Sequence, residues 1–191
     1  MAASTTLYQH YSDEELMPLL KSGHRMAFDE LYKRYGQKMF SYFFRMLWKN
    51  KELAEDFTQD LFIKLIKNVD IFIEGRQLST WLYSIAHNMC KNEYRKQELR
   101  KTHMQQVHKE PLSVMLNPDL KKFKEAVYQC TNELPEEKKT LYILRFQENL
   151  SVPEISSIMN INEGTIKSRI FYLLKEMKEK LKDFETLTIY P

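Results

Sequence analysis

Apolar residues recur along this chain at helical intervals. Phe28, Leu31, Tyr32 and Tyr35 follow a three-and-four spacing, and Phe40, Phe43, Phe44 and Leu47 repeat it. Ala54, Phe57, Leu61 and Leu65 form one stripe of a helix expected near Lys51 to Val69. Upstream, Ser12 precedes Asp13, Glu14 and Glu15. That reads as an N-cap followed by an acidic first turn, which complements the positive end of a helix. The stretch DIFIEGRQL, Asp70 to Leu78, loses the period and carries Gly75, so it predicts a loop. Ser79 or Thr80 then caps a helix through WLYSIAHNMCKNEYRKQ.

Beyond residue 96 the pattern changes. ELRKTHMQQVHKEPLSVMLNPD is polar, has no clean period and holds Pro111 and Pro118, so it predicts a linker. Residues 120 to 184 return to helical spacing, punctuated at Pro135, Ser151 and Asn162. Ser151 and Glu154 make a capping box, with Pro153 tolerated in the first turn. Val152, Ile155, Ile158 and Met159 face a core; Asn160-Ile161-Asn162 turns the chain with a buried apolar centre; Asn162 caps a second helix. On that helix Ile166, Ile170, Leu173, Leu174, Met177 and Leu181 define a buried side, while Thr165, Ser168, Arg169 and Tyr172 define another. This is the layout of a helix-turn-helix whose second helix meets base edges. Lys167, Arg169 and the Ser151 helix start suit phosphates, and Thr165, Ser168 and Tyr172 suit bases. An ordinary helical hairpin with a solvated polar face is the plainer alternative.

Composition narrows the picture. Hydrophobic residues are 43% of 191, with only 4 Gly and 6 Pro, which favours packed helices over disorder or tight-turned β structure. The net charge of +3 is too small to argue by itself for nucleic acid. Cys90 and Cys130 are isolated, without metal-ligand spacing, and fit a reducing cytoplasmic setting. No apolar run reaches the roughly 20 residues of a membrane span, and no cofactor motif or nucleophile–base pair is apparent.

Two constellations remain. Asp56, Gln59 and Asp60 lie together opposite the apolar stripe of their helix; a solvated face is the bland alternative. The later helix interleaves Trp81, Tyr83 and Tyr94 with Asn88, Lys91, Asn92, Arg95 and Lys96, a mixture that single-stranded DNA binding requires. The bland alternative is that Trp81, Leu82, Ile85 and Met89 are core and the cations only solubilise. An exposed Trp81 would be a stacking wedge; a partly buried Trp81 that supports the loop is the expectation. From the residues alone, two other readings stay open. One is a helix-turn-helix repressor with an N-terminal ligand-binding or dimerisation domain. The other is a metal-dependent helical enzyme using Glu52, Asp56 and Asp60.

Four segments in order resemble the extracytoplasmic-function sigma factors. AEDFTQDLF looks like their polymerase-binding signature, and IEGRQLSTWLYSIAHN like their promoter-melting segment. KNEYRK resembles the end of their minus-ten helix, and LPEEKKTLYILRFQENLSVPEISSIMNINEGTIKSR their minus-thirty-five domain. The resemblance runs from Ser12 to Leu181, interrupted by the linker. It implies an all-α chain of two small helical domains, region 2-like over 12–96 and region 4-like over 120–184, joined by the linker 97–119. It implies a non-enzymatic subunit that binds core RNA polymerase and promoter DNA and is held by an anti-sigma factor. By the same resemblance Asp56, Gln59 and Asp60 would dock on polymerase. Phe72, Gly75, Arg76, Gln77, Trp81, Asn88, Lys91, Asn92 and Arg95 would open and read the minus-ten element. Ser151, Thr165, Lys167, Ser168, Arg169 and Tyr172 would meet the upstream element. The chain departs from the family pattern at Leu78, where an aromatic is common, and at Phe171 to Leu174, where further arginines are usual. Both differences bear on the promoter it prefers.

Overall fold

A computed structural model describes residues 7–73, 75, 77–100, 118–182 and 184. The described residues are helical and contain no strand. The chain divides into two compact units, Met1–Met104 and Gln105–Pro191.

In the first unit, helix α1 (Asp13–Lys21) begins with the expected cap. The Ser12 hydroxyl accepts from the Glu15 amide, and the Ser12 amide donates to the Glu15 carboxylate at 2.6 Å. Helix α2 (Arg25–Met46) carries both aromatic-rich clusters on one continuous rod. It buries Leu31, Met39, Tyr42, Phe43 and Met46 completely. Arg34 ties the start of the unit to this rod. It donates to Glu30 at 2.9 Å, to Asp13 at 3.0 Å and to the carbonyls of Tyr8 and Gln9. The Tyr35 hydroxyl also donates to Asp13, and burial together with that carboxylate raises the Tyr35 pKa.

Helix α3 (Lys51–Lys67) is capped by Asn50 and packs mainly on α2, burying Ala54, Thr58, Leu61, Phe62 and Leu65. A 3-10 turn (Val69–Ile71) follows, pinned to the end of α1 by Lys21–Asp70 at 3.1 Å. The expected loop is therefore shorter than Asp70 to Leu78. Helix α4 (Leu78–Arg100) starts one residue before Ser79, because the Gln77 carbonyl already accepts the Trp81 amide. Ser79 and Thr80 lie within the first turn instead of capping it. The helix also runs on through Arg100, into the stretch expected as linker.

In the second unit, α5 (Pro118–Asn132) begins before residue 120. Helix α6 (Glu136–Tyr142) follows Pro135 and widens into a π turn (Ile143–Gln147). Arg145 closes that turn by donating to the Leu150 carbonyl at 2.9 Å. Helices α7 (Val152–Met159) and α8 (Glu163–Lys180) meet at a tight corner. Asn160 there adopts φ 55°, a left-handed conformation that Asn tolerates. Ser156 donates to the Ile161 carbonyl, and the Asn162 side chain accepts from the Thr165 amide. Five expected core positions differ, Val152, Ile170 and Leu181 being half-buried. Ile161 is half-buried, and Leu174 is exposed, because 100° of helical rotation carries it off the Ile166–Leu173–Met177 seam.

Candidate nucleic-acid and polymerase interfaces

The helix-turn-helix corner presents the N-terminal half of α8 outward. Its Asn162 cap and buried Ile166 fix the rotation of the helix, and Thr165, Lys167, Ser168, Arg169 and Tyr172 follow from that rotation. Lys167, Ser168 and Tyr172 are exposed, while Thr165 and Arg169 are half-buried. Local bonds already hold several of these groups. Ser168 donates to the Gly164 carbonyl at 3.0 Å, Lys167 pairs with Glu163 at 3.8 Å, and Arg169 donates to Glu137 of α6 at 3.0 Å. Ser151 serves its own capping box, accepting from the Glu154 amide and donating to its carboxylate. Phe171 and Tyr172 contact each other at 5.4 Å and are largely exposed.

A second face lies on α3. Asp56, Gln59 and Asp60 are all exposed, on the side opposite Ala54, Leu61 and Leu65. Ile63 and Ile66 extend this face, each 47% exposed. Sequence reasoning missed both, although neither fits the three-and-four spacing of the buried stripe. Glu52, Asp56 and Asp60 do not assemble a cation site, and among the described residues no group of three acidic, His or Cys side chains could hold a metal.

The third face combines the loop before α4 with α4 itself. Trp81 is only 8% exposed, so it is not a stacking wedge. Its ring instead supports Phe72, with centroids 5.2 Å apart. Ile71 and Ile73, on either side of Phe72, are 67% exposed. Gly75 takes φ 82°, a backbone angle that glycine adopts without penalty. Arg76 lies outside the described residues. Along α4, Asn88, Lys91, Asn92 and Arg95 are all exposed and share one face by their three-and-four spacing. The opposite side is anchored by fully buried Leu82, Ala86 and Cys90. Tyr94 packs on Trp48 and donates its hydroxyl to the Met46 carbonyl, fixing the far end of the helix to α2. A cleft of about 340 Å³ opens beside the loop, lined by Ser12, Asp13 and Glu14 of the α1 start and by Phe72, Gln77, Leu78 and Ser79. The α1 wall of this cleft was not apparent from the sequence, because its residues lie some sixty positions upstream of the loop.

Comparison with known proteins matches each of the two units. The family described as Sigma-70 region 2 matches residues 31–100, from within α2 to the end of α4, and Sigma-70, region 4 matches residues 124–177, from within α5 to within α8. The ECF RNA polymerase sigma factor SigW of Bacillus subtilis is 30% identical over 176 residues, covering 86% of this chain and 94% of its own length. The chain belongs to the extracytoplasmic-function sigma factors of the sigma-70 family. The ECF RNA polymerase sigma-E factor of Haemophilus influenzae is likewise 30% identical to this sigma factor over 190 residues, covering 91% and 97% of the two chains. Two solved structures share the fold. CnrH, solved in complex with the cytosolic domain of CnrY, has a TM-score of 0.66 at 19% identity over 90% of this chain and 97% of that one. RpoE of Bartonella quintana, solved with the anti-sigma factor NepR, has a TM-score of 0.64 at 24% identity over 81% and 96%. The sigma factor thus recognises promoters and initiates transcription as a subunit of bacterial RNA polymerase, and the repressor reading gives way. Among the described residues no helix is long and apolar enough to cross a membrane.

Proposed function

We propose that this sigma factor divides its task among the three faces, with the domain limits 12–96 and 120–184 and a connecting linker 97–119. The α3 face, Asp56, Gln59 and Asp60 with Ile63 beside them, docks on core polymerase. Phe72, Gly75, Arg76 and Gln77, supported by Trp81, hold an unstacked base of the minus-ten element. Asn88, Lys91, Asn92 and Arg95 follow the displaced strand. Thr165, Lys167, Ser168, Arg169 and Tyr172, with the Ser151 helix start, meet the upstream duplex. The subunit performs no covalent chemistry of its own, works in the cytoplasm with polymerase and is restrained by an anti-sigma factor.

The observation that carries this reading is the join between the loop and α4. A buried Trp81 fixes Phe72 beside a cleft, and the same helix then presents two amides and two cations along one exposed face. Unstacking a base costs a few kcal/mol. An aromatic wall worth about 1–3 kcal/mol per base offsets much of that. The low net charge of +3 fits a subunit that binds duplex weakly alone and relies on polymerase to hold both reading domains near one promoter.

The test is transcription of a randomised promoter library by core polymerase with the parent or a loop-swapped sigma factor. The swap of residues 72–78 should change the preferred minus-ten base and leave the upstream preference intact. An unchanged minus-ten preference would overturn the assignment.

A further inference from the structure

The segment that carries Phe72 buries little of its own. Ile71 and Ile73, on either side of Phe72, are each 67% exposed. Phe72 itself rests on Trp81 of α4. Away from α4, the segment meets α1 at two places. The 3-10 turn at its entrance packs on α1, and there Asp70 pairs with Lys21 at 3.1 Å. Gln77, Leu78 and Ser79 at its exit share the cleft with Ser12, Asp13 and Glu14 of the α1 start. One helix thus meets both ends of the loop.

That helix is a fixed point. It buries Leu16, Met17 and Leu20 and packs on α2. At its start, Asp13 accepts from Arg34 and from the Tyr35 hydroxyl, both on α2. At its end, Gly23 takes φ 81° and the His24 amide donates back to the Leu19 carbonyl at 3.0 Å, a closure that only a left-handed residue permits. Lys21 therefore belongs to a helix secured at both ends, and Asp70 to the entrance of a loop with little burial.

The two side chains are 58% and 73% exposed, so water screens the pair and it adds little to the stability of the fold. A small energy counts for more at a loop that buries little than in a packed core. We propose that Lys21 is a positioning residue for promoter opening: its pairing with Asp70 holds the loop entrance, and with it Phe72, at the cleft. Lys21 acts through Asp70 and touches no DNA. This role rests on the reading of residues 72–78 as the base-holding loop.

The experiment uses holoenzyme formed with the full chain. The variants are Lys21→Glu, Asp70→Lys, the two combined as a charge swap, and Phe72→Ala as a reference. Each single reversal should lower the permanganate reactivity of unpaired minus-ten thymines by about two- to fivefold, the range of an exposed ion pair. The swap should restore it. Capture of core polymerase and thermal unfolding should stay at parental values throughout the three charge variants, since exposed side chains alone are changed. The swap also separates two plainer roles for Lys21. A cation in the last turn complements the negative end of α1, and a cation beside the strand would hold a phosphate. Either role leaves the swap as poor as Lys21→Glu, and that result would overturn the proposal. Parental opening by both single reversals, with opening reduced in Phe72→Ala, would also overturn it and leave the loop reading standing. Parental opening by Phe72→Ala would remove the loop reading, and the proposal with it. Losses of opening that track losses of thermal stability or of core capture would overturn the proposal too, by assigning the pair to the fold or to the polymerase interface.

Discussion

Arg169 of the outward helix α8 donates to the Glu137 carboxylate of α6 at 3.0 Å. One edge of the guanidinium is therefore spoken for, and the charge that would attract a phosphate is partly neutralised. Exposed pairs of this kind are worth about 0.2–1 kcal/mol. Glu137→Gln should then raise holoenzyme affinity for any duplex upstream element by about two- to fivefold. Its salt dependence should steepen by about one phosphate contact. Arg169→Ala should lower affinity and flatten that dependence. Filter binding across a salt series measures both. Equal slopes for parent and both variants would show that the pair has no bearing on DNA.

The α3 face gives a second expectation. Asp56→Ala with Asp60→Ala changes only exposed side chains, so thermal stability should move by no more than about 0.5 kcal/mol. Capture of core polymerase in a pull-down should weaken. Ile63→Ser should weaken it as well, since a half-exposed isoleucine beside polar groups gains most from being covered. Undiminished capture by the double variant would remove α3 from the polymerase interface.

Trp81 and Phe72 should separate stability from promoter choice. Trp81→Ala empties a buried site and should cost about 3–5 kcal/mol in urea unfolding. Phe72→Ala removes only a half-buried ring and should cost less, while reducing strand opening as read by permanganate reactivity of unpaired thymines. Normal opening by a well-folded Phe72→Ala variant would contradict the stacking role.

The second unit carries a pH signature. Hydrogen bonding to Lys138, aided by the nearby charges of Lys138 and Lys180, holds the Glu176 carboxyl below its ordinary 4.5. A depressed carboxylate adds stability that is fully present above that ordinary value and fades as pH falls through the folded one. Parent protein should therefore lose its advantage over Glu176→Gln as the pH drops below 4.5, in paired denaturation curves. A constant gap across that interval would mean the pair adds no stability of its own.

Much of this architecture was legible in the sequence because it rests on local rules. Ser12, Asn162 and the Ser151–Glu154 box cap the helices they were expected to cap, since a cap needs only residues within one turn. The exposure of Asp56, Gln59 and Asp60 follows from helical phase alone. Other features depend on what packs from elsewhere in the chain. Trp81 could be wedge or core on sequence, and only Phe72 and the surrounding helices decide for core. Leu174 kept an apolar identity without a neighbour to bury it. The start of α4 moved to Leu78 because the Gln77 carbonyl, not a Ser or Thr side chain, opens the helix. The engagement of Arg169 by Glu137 spans 32 positions, beyond any periodic pattern.

The unbroken course of α4 from Leu78 to Arg100 makes it a ruler. Its 23 residues rise about 34 Å, close to one turn of duplex DNA. The loop sits at one end, and Tyr94 clamps the other region to the end of α2. The distance from the loop to Asn88, Lys91, Asn92 and Arg95 is consequently graduated in helical rise, and their direction in helical phase. Adding a single residue between Trp81 and Asn88 would lengthen the rod by only about 1.5 Å yet swing all four side chains by about 100°. The side chains would remain, but they would point away from the face that continues the loop.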